Sequence, residues 1–484
     1  LDYFNDVGIN RINDTKITMM NLTNKSILVL GLGETGLSLV RWLSAQGARV
    51  RAADSRNFPP AIDELRTQFP NVEFNCGVFR SELLHDINLV AISPGIPLNN
   101  QFVALAAARG IPIVGDIELF ARSLPQDRRP KIIAITGANG KSTVTSMVGA
   151  MCRAAGLDTE VAGNISPAVL DVLLQRQGQH PDIWVLELSS FQLETTSSLS
   201  ADAATVLNIS EDHLDRYSDI NEYIAAKARI FRNDGQPSVQ VLNRDDEYST
   251  GMALSGRILN TFGLNTPPPT EYDWGIDNSD EGVWLMHGRQ RVINANELQV
   301  AGLHNVANAL AALALCHAVG LPLAPLLNAL RAFTGLPHRV QPIAEINDIV
   351  YYDDSKGTNV GATIAALRGL GRPAVLIAGG EGKGQDFAPL YPAVIQYARA
   401  VVLIGRDADK IAAVLQNCGV PVVHANDMAD AVYQSTSLAQ PGDAVLLSPA
   451  CASFDMFRNY SHRAEVFIAA VCALQGEQAC SPQA

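Results

Sequence analysis

The residues with the clearest chemistry are Thr136-Gly137-Ala138-Asn139-Gly140-Lys141-Ser142-Thr143, directly after the apolar run Lys-Ile-Ile-Ala-Ile. Glycines let backbone N–H groups wrap phosphate oxygens, and the N-terminus of a following helix adds its dipole. Lys141 can reach terminal phosphates, and Ser142 or Thr143 can ligate Mg²⁺. The strict P-loop pattern asks for glycine at position 135, where this chain has isoleucine. Next come Glu187, at the end of the apolar run Ile183-Trp184-Val185-Leu186, and Glu211-Asp212-His213 followed by Lys227. A carboxylate ending a buried strand beside a phosphate loop is where such enzymes hold their metal. Lys227 falls on the apolar stripe of a helix expected from about Asp219, formed by Ile220, Tyr223, Ile224, Ile230 and Phe231. It either snorkels or has a partner or altered chemistry there, such as carbamylation to an anionic metal ligand. His213 either ligates the same metal or caps a loop.

Gly31-Leu32-Gly33-Glu34-Thr35-Gly36 follows the run Ser-Ile-Leu-Val-Leu, with Asp54 closing the next apolar run. This is the dinucleotide fingerprint, although any pyrophosphate-bearing nucleotide can use such a loop. A last group of polar loops comprises His304-Asn305 with Asn308, Gly335-Leu336-Pro337-His338-Arg339, and Asp353-Asp354-Ser355-Lys356-Gly357-Thr358-Asn359. To these are added Gly379-Gly380-Glu381-Gly382-Lys383 and Ser448-Pro449-Ala450-Cys451-Ala452-Ser453-Phe454. Cys451 lacks a histidine placed to activate it and reads as a packing residue.

These loops need strand ends to carry them. Apolar, β-branched runs alternate with helical patterns, which predicts parallel sheets wrapped by helices in three blocks. Strands are expected at 26–30, 49–52, 89–93 and 113–114; at 132–136, 183–186, 205–209 and 239–243; and at 374–378, 401–404, 422–424 and 444–447. The spacing predicts boundaries near 115 and 336. Residues 1–20 read as a disordered extension without the apolar segment of a signal peptide. The apolar stretch 309–327 is interrupted by Gly320, Pro322 and Pro325 and reads as a buried helix plus a loop, not a membrane span.

With 484 residues the chain has room for about three domains of ~150 residues. A net charge of −13 argues against a nucleic-acid binder. Seven scattered cysteines without a C-x-x-C pair argue against a disulfide framework or structural zinc, and for the reducing cytoplasm.

Taken in order, the motifs GANGKST, ELSSFQLE, NISEDHLDRY with Lys227, GLHNVANALAA, GLPHR, DDSKGTN and SPACASFD resemble the Mur ligases, the ATP-dependent amino-acid ligases of peptidoglycan precursor synthesis. The resemblance runs from about residue 26 to 467, and the short phosphate loop is the family's own form. It implies an α/β protein of three domains: an N-terminal Rossmann-like UDP-sugar domain (21–115), a central P-loop ATPase (116–335) and a C-terminal Rossmann-like domain for the amino acid (336–484). GLGETGLS, SPGIP and SPACASFDMF are most similar to the branch that adds D-glutamate to UDP-N-acetylmuramoyl-L-alanine. The implied partners are therefore those two substrates, with no nucleic acid and no membrane insertion, and the chain a monomer. The implied cofactors are ATP, Mg²⁺ at two sites and a CO₂-derived carbamate on Lys227.

Residue by residue, the resemblance implies catalytic roles for Lys141, His213, Lys227 and Lys356. It puts Gly137, Ala138, Asn139, Gly140, Lys141, Ser142, Thr143, Asn308, Arg339 and Asp354 at ATP. It puts Gly33, Glu34, Thr35, Ser55, Arg56, Ser93 and Asn164 along the UDP-substrate. Thr358, Lys383, Ser453, Phe454 and Tyr460, with Lys356, surround D-glutamate, and Ser142, Glu187, His213 and Lys227 serve the metals. The competing readings are a sibling ligase adding L-alanine or a diamino acid and, from another class, an NAD-dependent dehydrogenase led by the first glycine loop.

Overall fold

The computed structural model describes residues 21–125, 127–213, 216–232, 238–267, 270–300 and 302–475. The expectation for residues 1–20 lies outside them. Three sheets follow one another along the chain. The first is parallel, in the order Glu73–Cys76, Arg49–Asp54, Ser26–Leu30, Leu89–Ile92, Ile113–Val114. Chain order reverses between Ser26–Leu30 and Leu89–Ile92, and the first glycine loop leaves the sheet at that switch point, where open α/β sheets bind ligands. The second, also parallel, runs Ile258–Phe262, Val239–Asn243, Ala203–Val206, Lys131–Thr136, Ile183–Glu187, Thr159–Gly163. The phosphate-loop strand Lys131–Thr136 lies between Ala203–Val206 and Ile183–Glu187, so the loops after all three share one edge. The third runs Gln341–Ile346, Ile349–Asp353, Ala444–Leu447, Ala374–Gly379, Ala398–Ile404, Val422–His424.

The α/β class holds, with two departures from an all-parallel reading. Gln341–Ile346 pairs antiparallel with Ile349–Asp353. Trp274–Ser279, Gly282–His287 and Gln290–Asn294 form a separate antiparallel sheet. The stretch 309–327 is two helices rather than a helix and a loop. Leu303–Ala318 is followed by Leu323–Ala332, and Pro325 sits in the second helix's first turn, where its missing N–H costs nothing. No described helix is long and apolar enough to cross a membrane.

The cores tie the first two sheets together. One apolar cluster runs without a break from Ile27, Leu39 and Leu43 through Phe120 to Trp184 and Leu186, with Phe120 edge-on to Trp184 at 4.9 Å. The third sheet has its own clusters on its two faces. Cys451 is fully buried, and burial pushes its thiol up to about 12, as a packing residue requires. Cys76, Cys152, Cys316, Cys418 and Cys451 are free thiols, whereas Cys472 is disulfide-bonded.

Candidate active site

The phosphate loop is built as its sequence predicts. Gly140 adopts a left-handed conformation (φ 83°) and caps the helix Lys141–Ala154. A Cβ there would also come 2.6 Å from Asn308 Oδ1, which places Asn308 beside the loop. Asn139 is pinned from three sides. Its N–H donates to Asn208 Oδ1 at 2.8 Å, its Nδ2 donates to Ser210 Oγ at 3.4 Å, and its Oδ1 accepts from Asn359 Nδ2 at 3.0 Å.

Two lysine amines converge on this loop. Lys141 Nζ donates to the carbonyls of Gly137 (2.9 Å) and Ala138 (2.8 Å). Lys227 Nζ donates to Gly137 O (2.8 Å) and Thr136 Oγ1 (3.2 Å). Lys227 therefore does not snorkel: it is buried on the helix Ile220–Ala228, whose N-cap is Asp219. Burial lowers its basicity far below that of an ordinary lysine, and the charge of Lys141 lowers it further, outweighing Asp212 and Glu187. Burial also holds Lys141 below the usual range, with Glu187 and Asp212 opposing.

Glu187 ends its strand fully buried. Its Oε1 accepts from Asn164 Nδ2 at 3.0 Å, while Oε2 has no hydrogen-bond partner. An orphaned buried carboxylate oxygen at the end of the strand paired with the phosphate-loop strand fits a divalent cation. Among the described residues no three His, Cys, Asp or Glu converge into a cage. Mg²⁺ takes one or two carboxylates and fills its shell with phosphate oxygens and water. His213 has φ 58° and meets the Phe191 ring edge-on at 4.7 Å. Burial brings its imidazole down to about 4, so it is a neutral donor. Burial pushes the neighbouring Asp212 up, but His213, Lys383 and Lys141 outweigh that and leave its carboxyl below the ordinary value.

The first glycine loop has a different chemistry. Asp54 Oδ2 accepts from Leu32 N (2.7 Å) and from Arg56 Nη2 (2.7 Å), and its Oδ1 accepts from Arg56 Nε (2.9 Å). Between the first two sheets lies a cavity of about 200 Å³ lined by Glu34, Thr35, Ser93 and Asn164, all expected from sequence, and by Ser166 and Gln192, which were not. Gly33, Ser55 and Arg56 lie outside its lining. Gln192 carried a signal that was overlooked: in ELSSFQLE its side chain completes the capping box of Ser189. Ser166 reaches across from the second sheet to Glu34 Oε1 at 2.6 Å, a contact between residues 132 positions apart that no local pattern announces.

The loops of the third sheet reach the phosphate loop. Arg339 Nη2 donates to Ser142 Oγ at 2.9 Å, and Lys383 Nζ lies 3.6 Å from Asp212 Oδ1. Burial raises Asp354 to about 7, against the opposing effects of Ser448 and Arg339. Ser448 Oγ donates to Asp354 Oδ2 at 2.6 Å. Lys356 Nζ stands 3.7 Å over the Tyr460 ring. Burial alone would raise the Tyr460 phenol, yet Lys356 and Arg339 bring it below its usual value. Thr358 N donates to Lys356 O at 2.9 Å. Ser453 Oγ is buried without a partner, and the Phe454 ring is 70% exposed.

The sequence and the fold are matched by known proteins. Three family models cover the chain in order: the MurD-like N-terminal domain of Mur ligases at residues 25–115, the Mur ligase middle domain at 135–316, and the Mur ligase glutamate ligase domain at 338–451. A UDP-N-acetylmuramoylalanine–D-glutamate ligase of Nitrosospira multiformis is 56% identical over 464 residues, covering 95% of this chain and 98% of that protein. One of the same name from Chromobacterium violaceum is 52% identical, covering 95% and 100%. Among solved structures, UDP-N-acetylmuramate–alanine ligase from Thermotoga maritima has a TM-score of 0.58 at 19% identity, covering 93% of this chain and 99% of its own. MurF from Acinetobacter baumannii has a TM-score of 0.59 at 17% identity, covering 93% and 91%. Those two show the fold, and the curated relatives show the kinship: the chain belongs to the Mur ligase family.

Proposed function

We propose that the chain is the ATP-dependent ligase that joins D-glutamate to UDP-N-acetylmuramoyl-L-alanine, with release of ADP and phosphate. In this reading it works as a cytoplasmic monomer in peptidoglycan synthesis and so serves cell-wall growth, cell shape and division. One observation supports the reading: loops carried by all three large sheets approach one another. Asn164 of the cleft reaches Glu187, Arg339 reaches Ser142 of the phosphate loop, and Lys383 faces Asp212. The relatives named above, at 52–56% identity over nearly the whole chain, support the choice of substrates.

The residues suit an acyl-phosphate route. A carboxylate and an amine do not condense in water, because hydroxide is a poor leaving group. Transfer of the ATP γ-phosphoryl group to the L-alanyl carboxylate replaces that leaving group with phosphate. The D-glutamate amine then adds to the acyl carbon, and the tetrahedral intermediate collapses with loss of phosphate. Lys141, already among the loop carbonyls, is placed to spread charge on the phosphoryl group in flight. Asn308, Arg339 and Asp354 hold the nucleotide; Glu34, Thr35, Ser93 and Asn164 hold the UDP-sugar. Mg²⁺ at Ser142 and Glu187, and a second ion at His213 and Lys227, would offset the repulsion between two anions that must meet. Lys227 as an ammonium cannot ligate a cation. Its uncharged form, favoured by burial, is the one that adds to CO₂ with loss of a proton, and the resulting carbamate is anionic. Lys356, Thr358, Lys383, Ser453, Phe454 and Tyr460 receive D-glutamate, whose side-chain carboxylate needs a cation and hydroxyl donors.

The test is ATP-dependent product formation, by mass spectrometry, with each amino acid offered separately. D-Glutamate is used, and L-glutamate and D-alanine are poor by orders of magnitude. Lys383→Ala raises the Michaelis constant for D-glutamate at least ~10-fold, with little change for ATP, since the buried carboxylate loses its cation. Efficient addition of L-alanine, L-lysine or diaminopimelate moves the chain to a sibling activity. Tight NAD(H) binding without any ligation returns it to the dehydrogenase reading.

A further inference from the structure

We infer that Arg216 is a positioning residue that ties the wall of the UDP-substrate cleft to the turn carrying His213, so that occupancy of the cleft and of the metal–nucleotide site are coupled. The inference rests on the functional reading above. Arg216 belongs to the NISEDHLDRY motif and has no role in that reading.

Its backbone N–H donates to His213 O at 2.9 Å, and that of Tyr217 to the same oxygen at 3.2 Å. Both residues are thus fastened to the backbone of His213. The guanidinium then leaves this turn for the first sheet. Nη1 donates to Pro94 O at 2.7 Å, 122 residues away, in the loop whose Ser93, Pro94 and Gly95 line the cleft. Nη2 donates to Glu194 Oε2 at 2.7 Å, and Tyr217 Oη holds the other oxygen of that carboxylate at 2.6 Å. The guanidinium plane lies 4.0 Å over the Phe191 ring, and Phe191 is the ring that meets the His213 imidazole. The side chain is only 10% exposed.

A buried guanidinium with one donor fixed on each partner has little freedom to follow one without the other. Movement of the cleft wall at Pro94 is therefore passed to Phe191 and to the turn at His213. A lysine at this position is a point charge: it can keep the ion pair with Glu194 but cannot also hold the carbonyl and cover the ring.

The test measures coupling, not turnover. Calorimetry on the full chain gives the affinity for UDP-N-acetylmuramoyl-L-alanine with and without Mg²⁺ and a non-hydrolysable ATP analogue. The ratio of the two affinities is at least ~5-fold from unity in the wild type, the lower end of ordinary coupling between sites. In Arg216→Lys and Arg216→Ala it falls to within ~2-fold of unity, while the analogue alone still binds as in the wild type. Glu194→Gln, which loosens Arg216 without removing it, gives an intermediate ratio. If Arg216→Ala does not fold, Arg216→Lys and Glu194→Gln decide on the same ratio. Variants that keep the wild-type ratio, or a wild type with a ratio of one, overturn the inference. A wild type that binds no UDP-substrate overturns the functional reading instead, and the inference with it.

Discussion

The chain builds the same junction twice, a buried parallel strand opening through glycines into a helix, and the two differ in charge. At the first junction the Leu32 N–H is already taken by the Asp54 carboxylate, and the helix begins with Glu34. At the second, the helix begins with Lys141, and the amines of Lys141 and Lys227 both point at the carbonyl of Gly137. Loop backbone and helix dipole are common to both and suffice to hold a phosphate. The second sets two lysine amines on its loop and leaves a carboxylate oxygen of Glu187, at the end of the neighbouring strand, without a hydrogen-bond partner. The glycine loop makes a place, and the surrounding charge decides between holding and transfer.

The largest test of that contrast is Lys141→Ala. Removing the cation from the phosphoryl path should lower turnover by at least ~10³-fold, the scale of losing a principal electrostatic stabiliser. Phosphate release measured against added UDP-substrate and D-glutamate reads it directly. A variant that keeps a tenth of the wild-type rate would show that the loop works without its lysine.

Lys227→Ala should be nearly as damaging, by ~10²-fold or more, because it removes an anionic ligand once the amine is carbamylated. A small carboxylate such as formate or acetate should restore part of the activity, since it can occupy the place of the carbamate. Lys227→Arg should stay inactive, because a guanidinium cannot carry a carbamate. Full activity in either variant breaks the distinction drawn between the two amines.

Gly36→Ala probes the first junction for its packing. A Cβ at Gly36 would sit 1.8 Å from the carbonyl oxygen of Gly31. Backbone cannot yield as a flexible side chain can, so the strand and helix must part, at a cost on the order of 3 kcal/mol. Thermal unfolding should show a lowered first transition, and because one apolar cluster joins the first two sheets, the second sheet should soften with it. An unchanged melting curve would mean that the junction tolerates more slack than its geometry allows.

What could be read without coordinates follows burial and distance along the chain. Ser26–Leu30, Lys131–Thr136 and Ala374–Gly379 are almost wholly buried, so they stand out as uninterrupted apolar runs. Glu73–Cys76 is a half-exposed edge strand carrying Glu73 and Asn75, and Trp274–Ser279 ends in Asp277-Asn278-Ser279. Both look like polar loops to a search for apolar runs. The glycine loops, Glu187 and Lys227 were legible because their chemistry is local. Ser142 with Arg339, 197 residues apart, and Pro94 with Arg216 were not, because only the packing of one sheet against another brings them together.

The smallest and sharpest test is Gly33→Ala. Of the three glycines in the first loop, Gly31 has φ 87° and would bring a Cβ within 2.9 Å of Ser93 Cβ, and Gly36 meets backbone. Gly33 has φ −92°, which any residue adopts, and nothing lies within 4 Å of its Cβ position. The folded protein should therefore barely notice the change, losing no more than ~1 kcal/mol as an alanine replaces glycine at the helix N-cap. Gly33 is the N-cap of the helix Glu34–Ala45, the place where the function proposed above puts the diphosphate of the UDP-substrate. A methyl group there takes up room that only a ligand uses. The Michaelis constant for the UDP-substrate should rise ~10-fold, the effect of a misfitted contact worth about 1.4 kcal/mol, with the constants for ATP and D-glutamate unchanged. Equal shifts for ATP and the UDP-substrate would mean that the two glycine loops are not separate binding sites, and the contrast between them would fail.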